Sequence, residues 1–114
     1  MIPVVIESPY ASKTKSGLAR NLRYLRACMR DCLRRGEAPF ASHGLYTQPG
    51  VLVDEVPEER EMGIAAGFVW RQFANRTVVY ADLGVTDGMR QGIEHAKVNG
   101  LPYEVRTLGR DWTG

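Results

Sequence analysis

Acids, hydroxyls and one imidazole gather at a few places in this chain. Asp82 closes the run Val78-Val79-Tyr80 and is followed by Gly84, Thr86, Asp87, Gly88 and Met89. An acid at a strand end can hold a sugar hydroxyl or position a water. A Gly-rich turn that opens a helix presents free backbone N–H groups to a phosphate or carboxylate. Ser8-Pro9-Tyr10 follows the first apolar run. There Tyr10 can stack on a base or hydrogen-bond a sugar, and Lys13 and Lys15 add positive charge nearby. Ser42-His43-Gly44-Leu45-Tyr46-Thr47-Gln48 offers hydroxyl, imidazole and amide groups, with His43 and Tyr46 as ligand contacts. The plainer reading of His43 is a loop histidine bonded to a carbonyl. Glu58, Glu59 and Glu61 open a helix, where the dipole favours acids. Glu61 turned inward is a candidate catalytic carboxylate beside Asp82.

The elements that must position these groups follow from patterning. Ile2 to Ile6 reads as a first strand, with Pro3 tolerable near its start. Thr14 or Ser16 caps a helix from about Gly17 to Arg35, whose stripe is Leu18, Leu22, Leu25, Met29 and Leu33, widened by Cys28 and Cys32. Arg20, Arg23, Arg26, Arg30 and Arg34 lie elsewhere on that helix. They form either a solvated face or a surface for an acidic partner or a second subunit. Gly36 stops the helix, and Ala38 to Ala41 is a brief second strand. Pro49 to Pro57 is a longer loop, of the kind that often lies over a site. Glu58 to Phe73 is a helix with Met62, Ile64, Ala65, Phe68, Val69 and Phe73 as its apolar face. Val78 to Tyr80 is a third strand covered on both faces. Met89, Ile93 and Ala96 mark a third helix, which stops at Asn99-Gly100. Tyr103, Val105 and Thr107 alternate as a fourth strand. The tail around Trp112 is left unassigned.

Strands alternating with helices predict right-handed crossovers and a parallel sheet. We expect a small three-layer α/β domain spanning residues 1–114, with four parallel strands in the order 2-1-3-4. Ligands in such sheets bind beyond the carboxyl ends of the strands, at the switch point. That point falls between strands 1 and 3, so Ser8-Pro9-Tyr10 and the segment from Asp82 to Met89 face one crevice, flanked by His43.

Bulk properties narrow the classes. The chain has 114 residues, a net charge of +2, 44% apolar residues and 25% charged residues, as expected of one globular domain. That charge is too small to argue for nucleic acid, and the arginine helix lacks interleaved aromatics. No apolar run reaches membrane-spanning length. Cys28 and Cys32 suit a core stripe rather than a disulfide, so a reducing cytoplasm is expected. No metal site is expected, because His43 and His95 have no ligand partners at recognisable spacing. Neither G-x-x-x-x-G-K-[ST] nor G-x-G-x-x-G occurs.

S-P-Y after strand 1, R-R-G-E-A-P-F-A-S-H, L-Y-T-Q, P-E-E-R-E-M-G-I-A-A-G and V-V-Y-A-D-L-G-V-T-D-G-M-R-Q-G-I-E-H-A occur in an order and spacing that span almost the whole chain. In these pieces the chain resembles the nucleoside 2-deoxyribosyltransferase-like superfamily. The resemblance implies a flavodoxin-like (Rossmann-like) fold. It implies action on the N-glycosidic bond of a deoxynucleoside or its 5′-monophosphate, by transfer or hydrolysis. A carboxylate attacks the anomeric carbon while a second group protonates or orients the base, without a cofactor. Tyr10 matches a sugar- or base-contacting position, Asp82 the strand-end acid, and Asp87-Gly88-Met89 a phosphate- or sugar-binding turn. A homo-oligomer is also implied, because relatives often complete their sites across subunits.

The chain departs from the pattern at the nucleophile. Aligning Gly88, Ala96, Gly100 and Pro102 puts Gly92 where the superfamily carries its glutamate. Glu94 lies two residues on, a rotation of roughly 200°, and is expected to point away from the crevice. Either the carboxylate has moved, to Glu61 or Glu7, or the fold keeps a pocket without the usual chemistry. Three readings therefore remain: an enzyme acting on N-glycosidic bonds, a nucleotide-binding sensor, regulator or sequestering module, and a structural or interaction protein.

Overall fold

The computed structural model describes residues 1–113, excluding the side chains of residues 111 and 113. The strands are β1 (Ile2–Glu7), β2 (Glu37–Phe40), β3 (Arg76–Tyr80) and β4 (Tyr103–Arg106). They form one parallel sheet in the order β2-β1-β3-β4, as the pattern predicts. The helices are α1 (Lys15–Arg34), α2 (Ser42–Leu45), α3 (Pro57–Arg71) and α4 (Asp87–Val98). The fold is flavodoxin-like, with helices around the sheet.

Strand side chains alternate between the two faces. Val4, Ile6, Val78 and Tyr80 point to one face and pack with Tyr24, Leu25, Cys28 and Cys32 of α1. Val5, Glu7, Thr77 and Val79 take the opposite face, where α4 contributes buried Met89, Gly92 and Ala96. Thr14 caps α1 by accepting from the Gly17 N–H at 3.0 Å. Thr86 caps α4, accepting from the Met89 N–H at 3.2 Å, while its own N–H points at the Met89 sulfur at 3.5 Å. The crossover from β3 to α4 is thereby held tight at the sheet's carboxyl edge.

Beneath α1 lies a polar cluster. Arg106 of β4 donates to both carboxylate oxygens of Glu37 of β2, at 2.7 and 2.6 Å, and both residues are buried. The Tyr80 hydroxyl donates to Asp31 at 2.6 Å. Hydrogen bonding to Arg106 holds the Glu37 carboxyl below its ordinary range. Burial pushes both cysteine thiols up, leaving them protonated and unreactive in the core.

Two local expectations change. Ser42 to Leu45 forms a helical turn rather than a loop. On α3 the buried residues are Gly67 and Arg71, whereas Met62 and Val69 are exposed, and the helix ends at Arg71, short of the exposed Phe73. The cause is contact with α2: a Cβ on Gly67 would fall 2.6–2.8 Å from the Ser42 side chain, so α3 turns its glycine inward. The tail takes a place too. Arg110–Thr113 is a short 3₁₀ turn, and the Trp112 ring packs edge-on against Tyr24 with 4.9 Å between centroids.

Candidate functional site

A cavity of about 200 Å³ opens beyond the carboxyl end of β1. Its walls come from the end of β1, from α2 and the segment after it, from α3, and from the first turn of α4. Ser8, Tyr10, His43, Tyr46, Asp87, Gly88 and Met89 all line it. The parallel register explains the convergence, because Glu7 of β1 lies beside Val79 of β3 and α4 begins shortly after β3 ends.

The other residues singled out from the sequence lie elsewhere. Pro9 is buried between two lining residues and does not line the cavity. Glu61 is exposed and Glu94 is exposed, and neither reaches the cavity. Asp82 also lies outside the lining and is occupied by structural partners. It accepts from the Tyr24 hydroxyl, from the Leu108 N–H at 2.9 Å and from the Gly109 N–H at 3.0 Å. Burial opposes its ionisation, but the Tyr24 and backbone donors prevail and hold its pKa below the usual value. Asp82 thus ties the end of β3 to α1 and to the segment after β4.

The carboxylate that does line the cavity is Glu7. It pairs with Arg71 of α3, whose side chain is only 3% exposed. Arg71 also donates to the Gly92 carbonyl at 2.9 Å, and the same nitrogen lies 3.5 Å from Nδ1 of His95. His95 in turn stacks on Phe68 at 4.0 Å between centroids. Burial pushes the Glu7 pKa up to about 7, and the Arg71 charge and hydrogen bond only partly offset it.

Gly92 makes room for this arrangement. A Cβ built there would meet the Glu7 carboxylate oxygens and carbon at 2.4–2.9 Å. The volume that a side chain at position 92 would enter is filled by the Glu7 carboxylate, which comes from β1.

Beside Glu7, the buried Ser8 hydroxyl is 2.8 Å from Nε2 of His43. Burial drives the His43 pKa down to about 4, so the ring is neutral near pH 7 and accepts or donates only as a neutral imidazole. Tyr46 accepts from the Trp70 indole N–H at 3.0 Å, which fixes the phenol ring at the cavity wall.

Sequence reasoning named Glu7 only as one place for a displaced carboxylate, and Arg71 escaped it. Arg71 follows an apolar stretch and reads as an ordinary last-turn cation. Nothing local announces its partner 64 positions away. The legible clue was Gly92, whose missing side chain leaves the space that the Glu7 carboxylate fills.

Residues 2–106 match a family described as Domain of unknown function (DUF7768), and the chain belongs to that family. No curated protein and no solved structure matches the chain. Among the described residues, no helix is long and apolar enough to cross a membrane.

Proposed function

We propose that the cavity binds a deoxynucleoside or its 5′-monophosphate and that the protein breaks the N-glycosidic bond, by hydrolysis or by deoxyribosyl transfer. The observation that carries this reading is the Glu7 carboxylate filling the space left by Gly92. The superfamily that the sequence resembles places a carboxylate on the helix at that point; this chain brings one to the same space from the neighbouring strand.

Glu7 is the nucleophile in this reading. Its ionised carboxylate attacks the anomeric carbon, the C–N bond breaks, and the bonding pair departs with the base, which takes up a proton. Water, or the base of a second nucleoside, then opens the glycosyl ester and restores the carboxylate. Ser8 and His43 orient the sugar or base, and Tyr10 supplies a stacking face. The first turn of α4 offers the Gly88 N–H to a 5′-phosphate or hydroxyl, the Met89 N–H being taken by Thr86. Arg71 keeps Glu7 in place. Burial leaves Glu7 more basic than a surface glutamate and therefore more nucleophilic once ionised.

The test is chromatographic detection of free base from deoxynucleosides and their 5′-monophosphates. Wild type should release base, and Glu7→Gln should release it about 10²-fold more slowly or worse. Equal rates in the two folded proteins would remove Glu7 from the chemistry.

The Arg71 ion pair favours a second reading, a nucleotide-binding sensor, regulator or sequestering module. A carboxylate neutralised by a buried guanidinium can serve as a fixed wall of a binding pocket. In that case ligands raise the melting temperature while no base appears.

A further inference from the structure

The outer surface of α1 carries a feature that the cavity chemistry does not use. Arg20, Arg23, Arg26, Arg30 and Arg34 are all exposed, and none makes an ion pair among the described residues. At 100° per residue they fall within a sector about 120° wide, and at 1.5 Å per residue the stripe runs about 21 Å. Arg26 sits at its edge and also lines a groove of about 520 Å³ between α1, the β2 edge and the segment after α2. The rest of that groove is largely apolar, with Leu22, Leu25, Met29, Phe40 and Leu45 among its walls. An apolar trough with Arg26 on its rim and four further arginines on the same helix suits an occupant that is both acidic and apolar.

The chain itself contains such a segment. In residues 51–61, V-L-V-D-E-V-P-E-E-R-E, exposed valines alternate with acids. Val51, Val53 and Val56 are 52%, 50% and 36% exposed. Asp54, Glu55, Glu58 and Glu61 make no ion pair among the described residues. Single exposed valines are ordinary. Three of them interleaved with unpaired acids match in charge and polarity an apolar groove that the arginine stripe reaches at Arg26.

We propose that this groove and its arginine rim receive residues 51–61 of a second copy of the chain. The docked valines enter the trough and the acids meet the stripe. Leu52 and Asp54 of that segment also line the cavity at the end of β1, so the contact of one copy supports the cavity wall of the other. The inference stands on charge and exposed apolar surface and does not depend on the glycosidic chemistry.

The test is sedimentation of the full chain with two charge-reversal variants, one Arg23→Glu/Arg26→Glu/Arg30→Glu and the other Glu55→Lys/Glu58→Lys/Glu61→Lys. All six positions are exposed, and circular dichroism checks that both variants fold. Wild type should sediment as a dimer or larger species. It should fall toward the 12.7 kDa monomer in molar salt, where the screening length shrinks to about 3 Å. Each variant alone should associate at least tenfold more weakly, because each sets like charges against like. An equimolar mixture should recover the wild-type mass, since the acidic groove then meets basic segments and the basic groove meets acidic ones. A monomeric wild type, variants that associate as wild type does, or a mixture that stays monomeric would overturn the proposal. So would a monomeric wild type that binds single-stranded oligonucleotide through these arginines, which would give the stripe to nucleic acid.

Discussion

Two acids exchange places between the sequence and the structure. Asp82, at the end of β3, has the position expected of a site acid, but its carboxylate is taken by Tyr24 and by the backbone N–H groups of Leu108 and Gly109. Asp82→Asn removes an ionised acceptor from a part-buried cluster and leaves donors in competition. We expect a loss of about 1–3 kcal/mol of stability by denaturant melts, with little change in the affinity of a folded sample for ligand. A stable variant with weakened ligand binding would return Asp82 to the site. Glu7, by contrast, faces the cavity and has a pKa near 7. If its ionised form attacks, base release should rise with pH through about 7 and then level off. A rate that falls over the same interval would make Glu7 a proton donor instead. The acids near the strand ends were legible as residue types. Which one faces the cavity was not, because that depends on strand face and on partners distant in sequence, Tyr24 for one and Arg71 for the other.

At the scale of elements, the alternation of β-branched runs and capped amphipathic stretches disclosed the sheet, its order and three of the helices. Strand and helix periods are local properties that tertiary contacts here did not override. The exceptions arose where one helix meets another. α2 is a single turn, too short for a period to show. α3 carries apolar residues at helical spacing yet buries Gly67 and Arg71, because Ser42 approaches too closely for any Cβ at position 67. Gly67→Ala should therefore push α2 away from α3 and cost about 1–3 kcal/mol, read as a lowered melting temperature. The shift should also weaken ligand binding, since Ser42, His43 and Gly67 share the cavity wall. A melting temperature equal to wild type would show that α2 yields without cost. Gly92 imposes the same kind of constraint between β1 and α4, with the Glu7 carboxylate as the neighbour that a side chain would displace.

For the whole molecule, two partly buried ionisable groups couple stability to pH. Glu7 titrates near 7 in the folded chain against an ordinary 4.5, so folding favours its protonated form. Its contribution is complete below about 4.5 and is lost as pH rises through about 7. His43 titrates near 4 against an ordinary 6.5, so folding favours its neutral form. That contribution is complete above about 6.5 and is lost as pH falls through about 4. Glu7→Gln should accordingly flatten the decline in stability between pH 4.5 and 7 while leaving the acid limb in place. Thermal melts across that range check this, and an unchanged decline would mean that Glu7 is not the group responsible. The same carboxylate that weakens the fold at neutral pH is the one assigned to the chemistry, as happens where a site is assembled against local stability.

The most direct measurement is the initial rate of base release by Glu7→Ala compared with Glu7→Ala/Gly92→Glu. Removing the strand carboxylate opens the space beside position 92, and the second substitution returns a carboxylate to it from the helix. We expect Glu7→Ala to be nearly inactive and the double variant to regain activity by at least about tenfold. A folded double variant no faster than Glu7→Ala, or a Glu7→Ala protein as fast as wild type, would contradict the assignment of Glu7 as the site's carboxylate.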